Sequence, residues 1–257
     1  MRLNFQVQGH GRPLVILHGF LGSSDNWRSM SKRLSSHFTV YCLDLRNHGQ
    51  SPHSDAMDYP IMAADLREFV EEQSLAQVFL LGHSMGGKVA MQFAGQYPER
   101  VDKLVVVDIA PKAYPPTHQS LLAALRAVDL RAAKNFSDID AALSAPIPEA
   151  EVRQFLMKNL TRSSDHGFQW RIALDAIMQN YDELTQAVVI ERPFSKPACF
   201  IRAGRSNFVT DQDSALIRKA FPQAKIETIA RASHWVHIDA DDEFYTTVTG
   251  FLTAPDI

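Results

Sequence analysis

The stretch LLGHSMGGKVA, residues 80–90, places one serine among glycines at the end of an apolar run. The run is typical of a buried strand, and the apolar positions after it recur at helical spacing. In this strand–turn–helix setting the pattern Gly82-x-Ser84-x-Gly86 predicts a nucleophile elbow, a strained turn that exposes the serine hydroxyl at the carboxyl end of a sheet. Small residues two positions before and after the serine prevent a clash in the turn. Ser84 is therefore the predicted nucleophile, and the alternative is a glycine-rich turn with a bystander serine.

Similar apolar runs recur along the chain on both sides of this stretch. Near-continuous runs of this kind suit strands that are buried on both faces of a parallel sheet. The predicted strands are 13–19, 38–44, 77–84, 103–110, 197–204 and 225–230, with helical segments between them and a final helix at about 241–252. This alternation predicts an α/β fold with a doubly wound, mostly parallel sheet.

The alternation stops after Pro111. Residues 112–190 contain no strand-like run, only helical segments such as 120–136 and 171–187. We interpret 112–190 as a helical cap inserted into a core formed by 1–111 and 191–257. The apolar faces of its helices are expected to cover the carboxyl edge of the sheet, so we expect the cap to set the acyl-chain preference. The alternative is that those faces pack only on each other.

Composition excludes several classes of function. The 257 residues are 46% hydrophobic with a formal net charge of −3, which gives no basic signal for nucleic acid or an anionic membrane. Cys42 and Cys199 lie in apolar runs and are predicted to be buried thiols in a reducing compartment. The stretch 1–11 lacks the apolar region of a secretory signal, and no run is long enough to cross a bilayer. A soluble, cytoplasmic protein is expected.

A serine nucleophile needs a neighbouring base. His234, in RASHWVH just beyond the last predicted strand, is the best-placed base in the chain order Ser–acid–His, and His237 is its rival. His18 and His83 are predicted to form local hydrogen bonds that shape loops. The other histidines are predicted to be mostly solvated: His10, His37, His48, His53, His118 and His166.

The reaction also needs donors for a developing oxyanion. The loop after the first predicted strand can aim the backbone N–H of Phe20 at the pocket, and Met85 supplies the second N–H at the start of the helix after Ser84. Apolar residues predicted at the pocket rim are Leu21, Phe208 and Trp235.

Five motifs carry a family resemblance: HGFLGS (18–23), DLRNHGQSP (44–52), GHSMGG (82–87), VVVDIAP (105–111) and RASHWVH (231–237). Together they resemble the α/β-hydrolase superfamily, and more closely its branch of small bacterial esterases and thioesterases of the YbfF type. The resemblance covers about residues 12–252 but matches the insertion only loosely. Ser84 stands where the haloalkane dehalogenases and epoxide hydrolases of the superfamily carry aspartate, which disfavours their chemistry.

The position of the catalytic acid, the partner of the histidine base, departs from the superfamily pattern. The superfamily usually carries it in a Gly-x-x-Asp turn after the penultimate core strand, and here that turn, 204–207, ends in Asn207, which cannot ionise. Asp108 ends a strand predicted to lie beside the nucleophile strand, and the resemblance implies an acid at this position of VDIAP. Asp108 is the predicted acid, although a strand-end aspartate can also simply cap the next loop. The rivals are Asp211, Asp213 and Asp175.

These residues predict a hydrolase that cleaves carboxylic esters or thioesters of short-to-medium acyl chains through an acyl-serine intermediate. The alternatives are a carbon–carbon bond hydrolase or perhydrolase with the same residues, or a receptor-like binding protein with little turnover. No cofactor is predicted, and the histidines show no metal-type pairing with acids. The expected partner is a small acyl ester or thioester, and the oligomeric state stays open.

Overall fold

The structure, a computed structural model, describes residues 1–163 and 167–255. Its strands are β1 (Phe5–Gly9), β2 (Arg12–Leu17), β3 (Phe38–Leu43), β4 (Val78–His83), β5 (Val101–Val107), β6 (Leu160–Arg162), β7 (Phe168–Trp170), β8 (Ala198–Ala203) and β9 (Ala224–Ile229). Its helices are α1 (Arg28–Leu34), α2 (Tyr59–Glu72), α3 (Met85–Gln96), α4 (Gln119–Ala127), α5 (Phe136–Ser144), α6 (Ala150–Met157), α7 (Leu174–Gln179), α8 (Tyr181–Thr185), α9 (Ser214–Ala220), α10 (Val236–Asp239) and α11 (Asp241–Thr253).

Seven strands form one sheet in the order β1-β3-β2-β4-β5-β8-β9. All neighbouring strands are parallel except β1, which pairs antiparallel with β3. The predicted doubly wound, mostly parallel sheet is confirmed. The edge strand β1 was not predicted because FQVQG is mostly exposed and contains no apolar run.

Helices cover both faces of the sheet. Every residue of β4 is buried, and its side chains alternate between the faces as a strand requires. Leu80 joins a core cluster with α2 and α3, whereas Phe79 and Leu81 join a second cluster with α1 and α11. This double burial explains why β4 reads as a continuous apolar run.

The segment between β5 and β8 contains α4 to α8 and also a two-stranded antiparallel hairpin, β6–β7. The expectation of a segment without strands is wrong here, because strands of three residues are too short to show a period. The predicted helical segment 120–136 ends at Ala127, since Val128 is extended. The segment 171–187 likewise divides at Asn180 into α7 and α8.

The core cluster on the α2 and α3 side continues into this segment, where Leu122, Leu125 and Leu156 are each 1% exposed.

Cys42 and Cys199 are buried and unpaired, and burial raises the pKa of each thiol to about 12. Among the helices of the described residues, none is both long and apolar enough to span a bilayer.

Candidate active site

Ser84 occupies the turn between β4 and α3 with φ 52° and ψ −120°, a conformation that costs a non-glycine residue energy. The neighbouring glycines make this turn possible. A Cβ added at Gly82 would lie 2.2 Å from the Gly86 carbonyl oxygen, and one at Gly86 would lie 2.4 Å from that of His18. The Ser84 N–H donates to the Val107 carbonyl at 3.0 Å, which fixes the turn on β5. The turn therefore holds the serine side chain at the carboxyl end of the sheet.

Asp108 follows β5, the strand next to β4, and also has a positive φ of 49°. Its carboxylate is fully buried, with Oδ1 accepting the Ala203 N–H at 3.0 Å and Oδ2 lying 2.8 Å from His234 Nδ1. Because a carboxylate only accepts hydrogen bonds, this contact places a proton on Nδ1 and leaves a lone pair on Nε2. His234 and Ser84 line the same two cavities. The structure thus brings together the three residues predicted as nucleophile, base and acid.

The rival acids have other partners. Asp211 pairs with Arg202 at 2.5 Å, and Asp175 pairs with Arg126 at 3.2 Å. The carboxylate of Asp213 lies 2.8 Å from Lys112 Nζ. Each rival is held by a cation of its own instead of lying against the His234 imidazole.

The rival base His237 is the second residue of α10 and is buried. Its ring stacks on Trp27 with centroids 4.1 Å apart. Neither ring nitrogen has a hydrogen-bond partner among the described residues. Burial lowers the pKa of His237 to about 3, and a ring without an orienting acid is a poor candidate for the base.

Three other histidines hold the loops around Ser84. His83 Nε2 contacts the His234 carbonyl at 2.8 Å, and His18 Nε2 accepts the Leu45 N–H at 3.0 Å, which confirms their predicted role in shaping loops. His48 was predicted to be solvated, but it is fully buried and its Nε2 accepts the Leu21 N–H at 3.2 Å. The error arises because sequence does not reveal that another loop covers this residue.

Burial lowers the pKa of all three of these imidazoles, that of His48 to about 3. They are therefore neutral near pH 7. The prediction for His166 falls outside the described residues.

The predicted oxyanion donors belong to Met85, which follows Ser84 in the chain, and to Phe20, in the loop after β2. Met85 is the first residue of α3, so its N–H has no acceptor within the helix. Phe20 lines both cavities beside Ser84. The loop reaches this position through Gly19, where an added Cβ would stand 2.8 Å from the His83 ring and 3.3 Å from Ser84 Cβ.

Two cavities meet at Ser84. The first, of about 380 Å³, is mostly apolar and is lined by residues of α4 and α6 such as Leu121 and Phe155. The predicted rim residues Leu21, Phe208 and Trp235 all line it. The ring of Phe208 also stacks on that of His234, with the ring centroids 4.0 Å apart.

The second cavity, of about 590 Å³, extends along α3 to Lys88. This space is lined by three residues that were not predicted from the sequence, Lys88, Tyr59 and Tyr114. The available signal was the position of Lys88 four residues after Ser84, on the same face of the helix. Within the described residues, no three His, Cys, Asp or Glu side chains cluster in a way that can hold a metal ion.

Comparison with known proteins gives one family profile, described as alpha/beta hydrolase fold, which matches residues 12–241. The chain is 38% identical to the sn-1-specific diacylglycerol lipase ABHD11 of Mus musculus, over 93% of this chain and 80% of that protein. It is 33% identical to the esterase YbfF of Escherichia coli, over 98% of this chain and 99% of that protein. A solved structure titled marine microorganism esterase superposes with a TM-score of 0.95 at 41% identity, covering 97% of this chain and 99% of that one.

Proposed function

Because the chain belongs to the alpha/beta-hydrolase fold family, we propose that it is a serine hydrolase that cleaves carboxylic esters of short-to-medium acyl chains through an acyl-serine intermediate. The observation that carries this proposal is the 2.8 Å contact between Asp108 Oδ2 and His234 Nδ1, beside a cavity that Ser84 lines. Relatives that match across the chain are named esterase and lipase, which supports the same ester chemistry.

In the first half of the reaction, Ser84 Oγ attacks the ester carbonyl carbon while His234 Nε2 takes the hydroxyl proton. The carbonyl oxygen becomes an oxyanion that accepts hydrogen bonds from the backbone N–H groups of Phe20 and Met85. A donor of this kind contributes about 2.7–4 kcal/mol to the transition state. When the tetrahedral intermediate collapses, the bond to the alcohol breaks, and the alcohol leaves with the proton from His234.

In the second half, a water molecule gives a proton to His234 and attacks the acyl carbonyl. Collapse of this intermediate releases the carboxylic acid and returns the proton to Ser84. Throughout, Asp108 keeps the His234 proton on Nδ1 and stabilises the imidazolium. The same steps cleave a thioester, with a thiol as leaving group, and thioesters belong to the proposed substrate range.

We assign residues 112–190 as a cap over the core formed by 1–111 and 191–257. The proposal is supported by residues of α4 and α6 that line the first cavity together with Ser84. We also assign the protein to the cytoplasm, because two buried, unpaired cysteines suit a reducing compartment.

The test uses p-nitrophenyl butyrate and a labelled fluorophosphonate. We expect wild type to hydrolyse the ester and to be labelled at Ser84. Ser84→Ala should fold normally, escape labelling and lose kcat by a factor on the order of 10⁶, as in a well-studied serine hydrolase.

The matched control compares the two histidines of the site. His234→Ala should lose most of the activity, whereas His237→Phe, which keeps the stacking on Trp27, should retain it. Full turnover by Ser84→Ala would refute the mechanism, and the reverse behaviour of the two histidine variants would reassign the base.

A further inference from the structure

Lys88 is a buried cation that the proposed reaction does not use. It lies in α3 one helical turn beyond Ser84, and only 2% of its surface is exposed. Its ammonium group donates a hydrogen bond to the Gln186 carbonyl and lies 5.2 Å from the ring centroid of Tyr59 and 4.9 Å from that of Tyr114. Carbonyl and aromatic faces stabilise a cation, but they carry no formal charge.

The positive charge of Lys88 is therefore not neutralised by the protein. Among the described residues no carboxylate forms an ion pair with its ammonium group. An ammonium group has three donors, and Gln186 occupies one of them. Burial lowers the pKa of Lys88 from 10.5 to about 8, so the side chain still carries its charge near pH 7. A buried, unpaired charge is costly, and a hydrophobic residue would cost less in a purely structural role.

The second cavity links this charge to the reacting serine. Lys88 and Arg205 are the two charged Lys, Arg, Asp or Glu residues among the described residues that line it, and both are cationic. Side chains of an α-helix lean toward its N-terminus, so Lys88 leans toward the turn that carries Ser84 and Met85. Four residues of helix rise only about 6 Å, so a short linker joins a group at Lys88 to a carbonyl at Ser84.

The two tyrosine hydroxyls are already committed. Tyr59 donates to the Leu184 carbonyl at 2.5 Å, and Tyr114 donates to the Phe208 carbonyl at 2.7 Å. Their rings therefore form fixed apolar walls on which the ammonium group lies. The Lys88 ammonium group, with two donors left between these walls, suits a carboxylate.

We propose that the second cavity binds a carboxylate of the substrate, with Lys88 as its counterion, so that the preferred ester carries a negative charge a few bonds from its scissile carbonyl. This inference rests on the proposed function, since it places the reacting carbonyl at Ser84. The apolar first cavity then receives the uncharged half of the substrate.

The test compares acidic and neutral esters of matched length. Mono-p-nitrophenyl glutarate carries the carboxylate in the acyl half, and p-nitrophenyl pentanoate is its neutral counterpart. The compound 3-(butanoyloxy)propanoate carries it in the alcohol half, and propyl butanoate is its counterpart. The pair in which wild type has the higher kcat/KM for the acidic ester identifies which half of the substrate enters the second cavity.

For that pair, Lys88→Met should lower the ratio of acidic to neutral kcat/KM by about ten- to hundredfold, the effect of losing a hydrogen bond to a charged group. The matched control is Lys112→Met. Lys112 lies against the same Tyr114 ring at 5.2 Å but is paired with Asp213, so its removal should leave the ratio unchanged.

Equal losses on acidic and neutral esters in Lys88→Met would show that Lys88 only supports the fold and would overturn the proposal, as would wild type showing no preference in either pair. A binding measurement separates this result from failure of the proposed function. Glutarate should raise the Tm of wild type and of Ser84→Ala but not that of Lys88→Met, whether or not any ester is cleaved. If esters are cleaved and glutarate raises all three Tm values equally, the carboxylate site is refuted while the hydrolase stands.

Discussion

Replacing Asp108 by asparagine tests the proposed acid without changing its shape. Asp108 accepts the Ala203 N–H through Oδ1 and faces His234 Nδ1 through Oδ2. In Asp108→Asn the amide oxygen must stay on the Ala203 N–H, because the amide nitrogen cannot accept that bond. The amide N–H₂ then faces His234 Nδ1. The fold dictates this orientation, since the opposite one sets two donors against each other in a fully buried position.

The consequence is the wrong histidine tautomer. Facing a donor, His234 Nδ1 must accept, so the imidazole proton moves to Nε2. An Nε2 that carries a proton cannot take one from Ser84. The same change in a serine protease lowers kcat by about 10⁴, and we expect a similar loss here, equivalent to about 5.4 kcal/mol of transition-state stabilisation.

The assay is kcat on p-nitrophenyl butyrate, with circular dichroism and Tm measured on the same samples to show that Asp108→Asn folds. The controls Asp211→Asn, Asp213→Asn and Asp175→Asn remove carboxylates that pair elsewhere and should stay within about tenfold of wild type. If Asp108→Asn is nearly fully active and one control is not, the reasoning about the acid is refuted.

Two further predictions concern acid stability and chain length. The pKa of His237 is about 3 in the folded protein and about 6.5 in the unfolded chain. Between pH 6.5 and 3 the unfolded chain therefore binds a proton that the folded chain does not bind, so the free energy of unfolding falls as the pH falls. His237→Phe should therefore reduce the slope of unfolding free energy against pH between 6.5 and 3 by about 1.4 kcal/mol per unit in urea titrations, and an unchanged slope would contradict the assignment. Leu121→Trp should fill part of the first cavity and lower kcat/KM for p-nitrophenyl decanoate more than for the butyrate. A uniform loss across acyl lengths would instead indicate that the α4 face only packs within the cap.

The sequence predicts the sheet well because burial on both faces leaves a strong local signal. β4 and β5 read as apolar runs, and the matches to the family profile, to ABHD11 and to YbfF confirm the resemblance that the motifs indicated. The edge strand β1 was missed because it is mostly exposed and contains no apolar run, and the hairpin β6–β7 was missed because strands of three residues are too short to show a period.

Polar residues near the site were harder to predict, because their environment is built by distant segments. His48 looks like a loop histidine until the Leu21 loop covers it, and Lys88 looks like a solvated helix residue until Tyr59 and Tyr114 enclose it. Asp108 could be proposed because it ends a strand expected next to β4 and because the family resemblance implies an acid at this position. Its role, like those of Ser84 and His234, stays a prediction until the variants are measured.

The contact between His83 and the His234 carbonyl spans 151 positions of the chain, and the bond from Ala203 to Asp108 spans 95. Both join the part of the chain before the insertion to the part after it. For recombination between homologous genes, a crossover inside residues 112–190 separates the donors of these bonds from their acceptors. Such a chimera keeps both bonds only if the loops from the two parents place each donor opposite its acceptor. Exchanging the insertion alone, with two crossovers, keeps both of these bonds within one parent but divides those from Lys88 to Gln186 and from Tyr59 to Leu184 between the two parents.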